Sequence, residues 1–267
     1  MPLRVSLAQF DIIQADALAN IETADRYAAE AARRGSELLV LPELWSTGLD
    51  FDNIVRYSST NLAADMARLA RRHRLFIYGS VFTNQNNRFA NTGLLFGKDG
   101  NQIAQYSKLH LFRPMGEDLR LQPGKSVVVA NTPWGRAGLA ICYDLRFPEL
   151  FRSQVADGAT MVVIAAEWPY PRLSHWQTLL RARAIENQVF VIACNRVGEA
   201  NGLRFCGYSV IIDPWGDVVA EGGDEEQLVT AEIDLARVDE VRRALPVLGD
   251  RRRDVFGAAI PPVSDAS

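Results

Sequence analysis

Three side chains stand where strands should end: a carboxylate at Glu43, an ammonium at Lys108 and a thiol at Cys142. Glu43 follows the apolar run Leu38-Leu39-Val40-Leu41 and Pro42. Lys108 closes the strand-like stretch 102–107, and Cys142 closes 138–141. The C-terminal ends of strands in open α/β sheets are where ligands are presented. A thiol of ordinary pKa is mostly protonated at neutral pH and needs a base or a nearby cation to attack. Glu43 could take that proton and later hand it to a leaving nitrogen. Lys108 could hold the oxyanion that forms, helped by the backbone N–H of Tyr143. A desolvated carboxylate can serve as the base, so no histidine is needed beside Cys142. On residue types alone the set is weak. A lone Cys is more often buried packing than a nucleophile, and a Glu or Lys at a strand end is usually solvated.

The elements that must position these groups alternate. Strands are expected at 5–8, 38–41, 75–82, 91–97, 102–107, 127–129, 138–141, 161–165, 189–193, 208–213, 218–220 and 228–233. Helices are expected at 16–34, 61–73, 148–157, 174–187 and 235–244. The run 38–41 is apolar throughout, as a strand buried on both faces must be. Lys98-Asp99-Gly100-Asn101, Thr132-Pro133-Trp134-Gly135 and Asp213-Pro214-Trp215-Gly216-Asp217 read as hairpin turns. Each half runs strands and helices alternately and then antiparallel strands, with no linker between. Two such sheets packed face to face with helices outside give an α/β fold, a four-layer α-β-β-α sandwich of two mixed sheets with internal pseudo-symmetry. One domain over residues 1–256 is expected, with 257–267 as a flexible C-terminal tail.

Composition excludes several classes. The chain has 267 residues, 48% apolar, with a net charge of −3. That balance does not suit a nucleic-acid or anionic-membrane partner, and Arg33-Arg34, Arg71-Arg72 and Arg251-Arg252-Arg253 read as solvated surface. No signal peptide or membrane-spanning run is visible. Three cysteines (Cys142, Cys194, Cys206) without an export signal point to free thiols and a cytoplasmic location. His73, His110 and His175 stand in no ligand spacing, so no metal is expected.

The sequence around Cys142 changes the balance. Cys142-Tyr143-Asp144-Leu145-Arg146-Phe147-Pro148-Glu149 resembles the nucleophile motif of the nitrilase superfamily of carbon–nitrogen hydrolases. Leu41-Pro42-Glu43 resembles its general-base motif, and Tyr106-Ser107-Lys108-Leu109-His110-Leu111-Phe112 its lysine motif. Their order and intervals agree, and the likeness covers nearly the whole chain. It implies an α-β-β-α sandwich, a homodimer or larger homo-oligomer, no cofactor and a small-molecule amide as substrate. It also implies a second glutamate between lysine and nucleophile. Glu117, in Gly116-Glu117-Asp118, matches it and would orient Lys108 and the substrate nitrogen.

Within that superfamily, His175-Trp176-Gln177, Arg181–Gln188 and Cys194-Asn195-Arg196-Val197-Gly198 are similar to bacterial omega-amidases, which hydrolyse terminal amides of 2-oxo acids such as 2-oxoglutaramate. Those enzymes often carry Asn-Trp-Pro near the pocket, where this chain has Glu167-Trp168-Pro169. A carboxylate at Glu167 facing the pocket would disfavour an anionic substrate. Trp168 is expected as a pocket wall. Arg113 is the first candidate to grip a substrate carboxylate, equally readable as a solvated loop arginine. Arg146 is expected in a structural ion pair, His110 in packing beneath the site, and Cys194 and Cys206 in the core. The rival readings are an amidase for deaminated glutathione, an N-carbamoyl hydrolase, a true nitrilase, or a catalytically dead binding protein on the same fold.

Overall fold

A computed structural model describes residues 2–58, 61–85 and 88–256; the expected tail at 257–267 lies outside them. The first half holds strands β1 (Pro2–Gln9), β2 (Leu38–Val40), β3 (Phe76–Gln85), β4 (Arg88–Phe96) and β5 (Gln102–Ser107), with helices α1 (Ala17–Arg33) and α2 (Leu62–His73). A short helix α3 (Glu117–Arg120) leads to β6 (Val129–Thr132), β7 (Gly135–Ile141), α4 (Pro148–Ala156), β8 (Met161–Ala166), α5 (Leu173–Asn187) and β9 (Phe190–Asn195). A small hairpin, β10 (Glu199–Ala200) and β11 (Leu203–Arg204), precedes β12 (Val210–Ile212), β13 (Val218–Glu221), β14 (Gln227–Asp234), α6 (Ala236–Ala244) and α7 (Arg253–Phe256). Among the described residues no helix is long and apolar enough to cross a membrane.

The strands form two six-stranded sheets, ordered β14-β1-β2-β3-β4-β5 and β13-β12-β9-β8-β7-β6. In each, three parallel strands (β1, β2, β3 and β7, β8, β9) are flanked by two antiparallel strands on one side and one on the other. The pseudo-symmetry is therefore one of strand order. The single flanking strand is β6 in the second sheet, a hairpin neighbour of β7. In the first sheet it is β14, which pairs with β1 from Pro2↔Asp234 to Gln9↔Gln227.

Strand periodicity explains the layers. Leu38 and Val40 join Val5, Leu7, Tyr78, Leu139 and Val163 in the cluster that includes both sheets. Leu39 and Leu41, on the opposite face, pack with Ala24, Ala28 and Ala31 of α1 and Met66, Leu69 and Ala70 of α2. Both faces are covered, which is why 38–41 carries no polar alternation. The alanine stripe of α1 lets that helix lie close to the sheet. Helix α5 covers the other sheet with Trp176, Leu180 and Ala184.

Most strand ends differ from expectation by a few residues, and two of the differences have a clear local cause. The stretch 208–213 shortens to Val210–Ile212, because Tyr208 sits at φ 51°, and its N–H bonds the Gly223 carbonyl. Strand 127–129 begins instead at Val129 and runs to Thr132, which pairs with Gly135 across Pro133-Trp134.

Candidate active site

Cys142 directly follows β7 with φ at 45°, a left-handed backbone that costs a side-chain-bearing residue energy. A 3-10 turn over Cys142–Arg146 follows, then α4 starting at Pro148. Asp144 holds this turn. One of its oxygens accepts from the Ile141 N–H (3.0 Å) and the Tyr106 hydroxyl (2.7 Å); the other accepts from the His110 N–H (3.0 Å) and meets His110 Nδ1 at 2.8 Å. His110 in turn stacks on Phe147, 3.7 Å between ring centroids. One buried carboxylate thus ties the nucleophile turn to the loop that carries Lys108, and His110 packs beneath the site as expected.

Glu43 lies just past β2. The next residue, Leu44, has φ 42°, and its N–H bonds Ser80 Oγ at 2.9 Å, which turns the chain sharply after the carboxylate. Lys108 is fixed through its backbone: its N–H bonds the Asn91 carbonyl, and its carbonyl accepts from the Gly124 N–H, both at 2.9 Å. Gly124 comes so close to β5 that a Cβ on it would fall 2.1 Å from the Ser107 carbonyl oxygen. Only glycine allows that approach.

The side chains converge in a buried cluster. Lys108 Nζ donates to Glu43 Oε1 at 2.8 Å and to both oxygens of Glu117, at 3.0 and 2.9 Å. Glu117 also accepts from the Phe112 N–H at 2.6 Å, and Glu43 Oε2 from the Glu167 N–H at 3.0 Å. Burial works against the Lys108 charge, yet Glu117 and Glu43 more than offset it, so the group stays an ammonium with its pKa well above the ordinary value. Burial pushes the Cys142 thiol well above its usual range; the Glu43 carboxylate adds to that, and Lys108 works the other way. The resting sulfur is therefore a thiol, and it shares its cavity with the Glu43 carboxylate. The Tyr143 N–H lies in the first turn of the 3-10 segment, where no acceptor within the turn is available to it.

Glu43, Lys108, Glu117 and Cys142 open into one cavity, walled by Leu49, Phe51, Phe112, Met115, Tyr143 and Trp168. Trp168 is buried there, its indole N–H bonded to the Arg172 carbonyl at 2.8 Å. Glu167 also lines the cavity, but one carboxyl oxygen pairs with the buried Arg196 at 2.7 Å, and Arg196 reaches on to Asp11 at 2.6 Å. Glu167 is therefore paired from behind by Arg196. Burial pushes its pKa up to about 7, with Arg196 pulling the other way. Cys194 and Cys206 are buried away from this cavity, with the Cys206 thiol pushed up to about 12 by burial.

Two expectations about arginines need correction. Arg113 is 85% exposed, beside Asp118 at 3.9 Å, and does not line the cavity, because its 3-10 turn (Arg113–Met115) turns the side chain to solvent. Arg146 lines the cavity and, among the described residues, forms no ion pair; its guanidinium lies over Trp168 at 4.8 Å. Two further residues were missed. Arg172, on the cavity wall, follows Tyr170-Pro171 and carried no motif signal. Asn91 Nδ2 donates to Glu43 at 2.8 Å and to Glu117 at 3.4 Å. Its signal was available: a buried asparagine in mid-strand is a poor strand residue and needs a reason.

Comparison with known proteins agrees with this geometry. The carbon–nitrogen hydrolase family model matches residues 4–243. The 2-oxoglutaramate amidase of Bacillus subtilis (strain 168) is 42% identical over 96% of this chain and 100% of its own length. Omega-amidase NIT2-A of Xenopus laevis is 32% identical over 95% of this chain and 96% of its own. The crystal structure of a CN-hydrolase superfamily protein from Xanthomonas campestris, with an arsenic adduct in its active site, superposes with a TM-score of 0.89 at 33% identity, covering 94% of this chain and 97% of that one. The matches span the whole sandwich and all three converging side chains, and this chain belongs to the carbon–nitrogen hydrolase family.

Proposed function

We propose that the protein is an amidase that hydrolyses a terminal carboxamide to a carboxylic acid and ammonia through a thioester on Cys142. The observation that carries this reading is the convergence of Cys142, Glu43 and Lys108 on one buried cavity, with the Lys108 ammonium held on the Glu43 carboxylate at 2.8 Å. Glu43 takes the thiol proton as sulfur attacks the amide carbon. The carbonyl oxygen becomes an oxyanion, held by Lys108 and the Tyr143 N–H. The C–N bond then breaks, and Glu43 returns the proton to nitrogen, which leaves as ammonia. Water attacks the thioester carbon while Glu43 takes its proton; the C–S bond breaks and the sulfur regains that proton, restoring the thiol. Glu117 keeps Lys108 charged and aimed, and no step calls for a cofactor.

The substrate we propose is 2-oxoglutaramate or a similar dicarboxylic monoamide. The names of the two amidase relatives support this, as does the apolar wall of Leu49, Phe51 and Met115 in the cavity that Cys142 lines, suited to a short acyl chain. Two further readings go with it. Residues 1–256 form one domain, supported by the return of β14 to β1. The enzyme is a cytoplasmic homodimer or larger homo-oligomer, supported by three free cysteines and by Ile185 and Val218, exposed along one groove between α5 and β13.

The test is ammonia release over a panel of amides, nitriles and carbamoyl compounds, with Cys142→Ala alongside. Amides should be turned over and Cys142→Ala should abolish it. Preference for nitriles or carbamoyl compounds would overturn the amidase reading.

A further inference from the structure

The cavity carries charge beyond what the chemistry at Cys142 uses. Its deep end holds Glu43, Glu117 and Lys108, a net charge of one negative with the carboxylates ionised. Glu167 is offset by Arg196. Arg146 and Arg172 line the same cavity, and among the described residues neither forms an ion pair with a carboxylate. Elsewhere the fold pairs its arginines readily, as Arg152 and Arg183 are with Glu186.

Both guanidiniums are instead held by aromatic faces. Arg146 lies over Trp168 at 4.8 Å and Tyr143 at 6.0 Å; Arg172 lies over Phe112 at 5.4 Å. Stacking fixes the plane of a guanidinium while leaving its edge N–H groups free to donate. Arg146 has one further contact, Nη2 to His175 Nδ1 at 3.3 Å. Donors of this kind match a carboxylate in a two-pronged bond.

We propose that Arg146 and Arg172 form the subsite for the far carboxylate of the substrate, so that the enzyme selects carboxylate-bearing amides over neutral ones. This assignment rests on the amidase reading above and replaces Arg113 in that role. The arrangement also fixes orientation. A substrate entering amide-first places a neutral group beside Glu43 and Glu117 and its anion on the two guanidiniums. Entry carboxylate-first sets like charges together in a buried space, which is strongly disfavoured. Leu49, Phe51 and Met115 supply the apolar wall for the short chain between.

The test compares kcat/KM for succinamate and for butyramide, a neutral amide of similar length, in the wild type, Arg172→Met, Arg172→Lys and Arg146→Met. The wild type should favour succinamate. Arg172→Met and Arg146→Met should each lower the succinamate-to-butyramide ratio by roughly 10- to 100-fold, mainly through KM, the range for losing a charge-assisted hydrogen-bonded contact. Arg172→Lys should recover part of that ratio, since charge returns without the fork. A wild type that discriminates while neither methionine variant changes the ratio overturns the subsite and leaves the amidase reading intact. A wild type that hydrolyses neither amide overturns the amidase reading, and the subsite with it.

Discussion

Lys108 Nζ sits between Glu43 and Glu117, 2.8 Å from one and 2.9 Å from the other, with all three side chains buried. Removing the ammonium leaves two buried carboxylates facing each other. Lys108→Met should therefore lower kcat by about 100-fold or more through loss of the oxyanion contact. It should also lower stability by about 3–5 kcal/mol, since an uncompensated buried charge remains. Glu117→Gln, which keeps the shape and one neutral acceptor, should lose less of both. Steady-state kinetics and urea unfolding on the two variants check this; equal losses would remove the distinction between cation and orienting carboxylate.

The thiol gives a second prediction. Glu43 raises the Cys142 pKa and Lys108 lowers it. Glu43→Gln removes the first influence and keeps the second, so more thiolate should be present at neutral pH. Alkylation of Cys142 by iodoacetamide at pH 7 should speed up in this variant even as amide turnover falls by about 100-fold or more. Slower alkylation in Glu43→Gln would show that the carboxylate is needed to deprotonate the sulfur for any electrophile.

Gly124 gives a structural counterpart. A methyl group there meets the Ser107 carbonyl oxygen at 2.1 Å, and that oxygen belongs to the backbone and cannot swing away. Gly124→Ala should cost about 1–3 kcal/mol of stability. It should also lower kcat, because the Gly124 N–H holds the Lys108 carbonyl. A variant with wild-type unfolding midpoint and rate would mean that the loop relaxes freely.

The parts of this site that could be read in the sequence are those with local cause. Leu38–Leu41 reads as a doubly buried strand because every position faces a core, and Glu43, Lys108 and Cys142 stand at strand ends that the periodicity locates. Asn91 and Arg172 depend on which strands and loops become neighbours. Asn91 reaches Glu43 only because β4 pairs beside β3, and nothing in the residues near position 91 specifies that. Arg113 misled for the same reason: nearness to Lys108 in sequence fixed the turn it stands on, but not the side of that turn facing the cavity. The left-handed backbone at Cys142 and Leu44 was invisible too, since neither residue type favours it and the neighbouring turns are held by long-range bonds, from Tyr106 and His110 to Asp144 and from Leu44 to Ser80.

Asn91 can be tested directly. Its amide donates to both Glu43 and Glu117, so Asn91→Leu removes two hydrogen bonds of that cluster without adding charge. We expect kcat to fall about tenfold, the effect of removing one of the three hydrogen bonds that hold Glu43, with KM for the amide changing less. A rise in KM with kcat retained would assign Asn91 to substrate contact instead.

Glu167 links the site to stability. Its pKa is pushed up to about 7 in the folded protein, against 4.5 for the free group, with burial as the main cause. The folded state therefore binds this proton more tightly than the unfolded chain does. Stability associated with Glu167 is fully present below about pH 4.5 and declines as pH rises toward about 7, by up to about 3 kcal/mol. A glutamine at this position cannot titrate and removes the slope. The difference in unfolding free energy, wild type minus Glu167→Gln, should therefore fall steadily between pH 5 and pH 7.5 and level off above that. Taking the difference cancels the titration of groups unaffected by the change. Glu167→Asn is not expected to improve turnover of anionic amides, because it shortens the side chain and leaves the buried Arg196 without its 2.7 Å partner. A difference curve flat across this range would mean that Arg196 keeps Glu167 ionised throughout. In that case the carboxylate is a permanent counter-ion, with no proton to exchange near neutral pH.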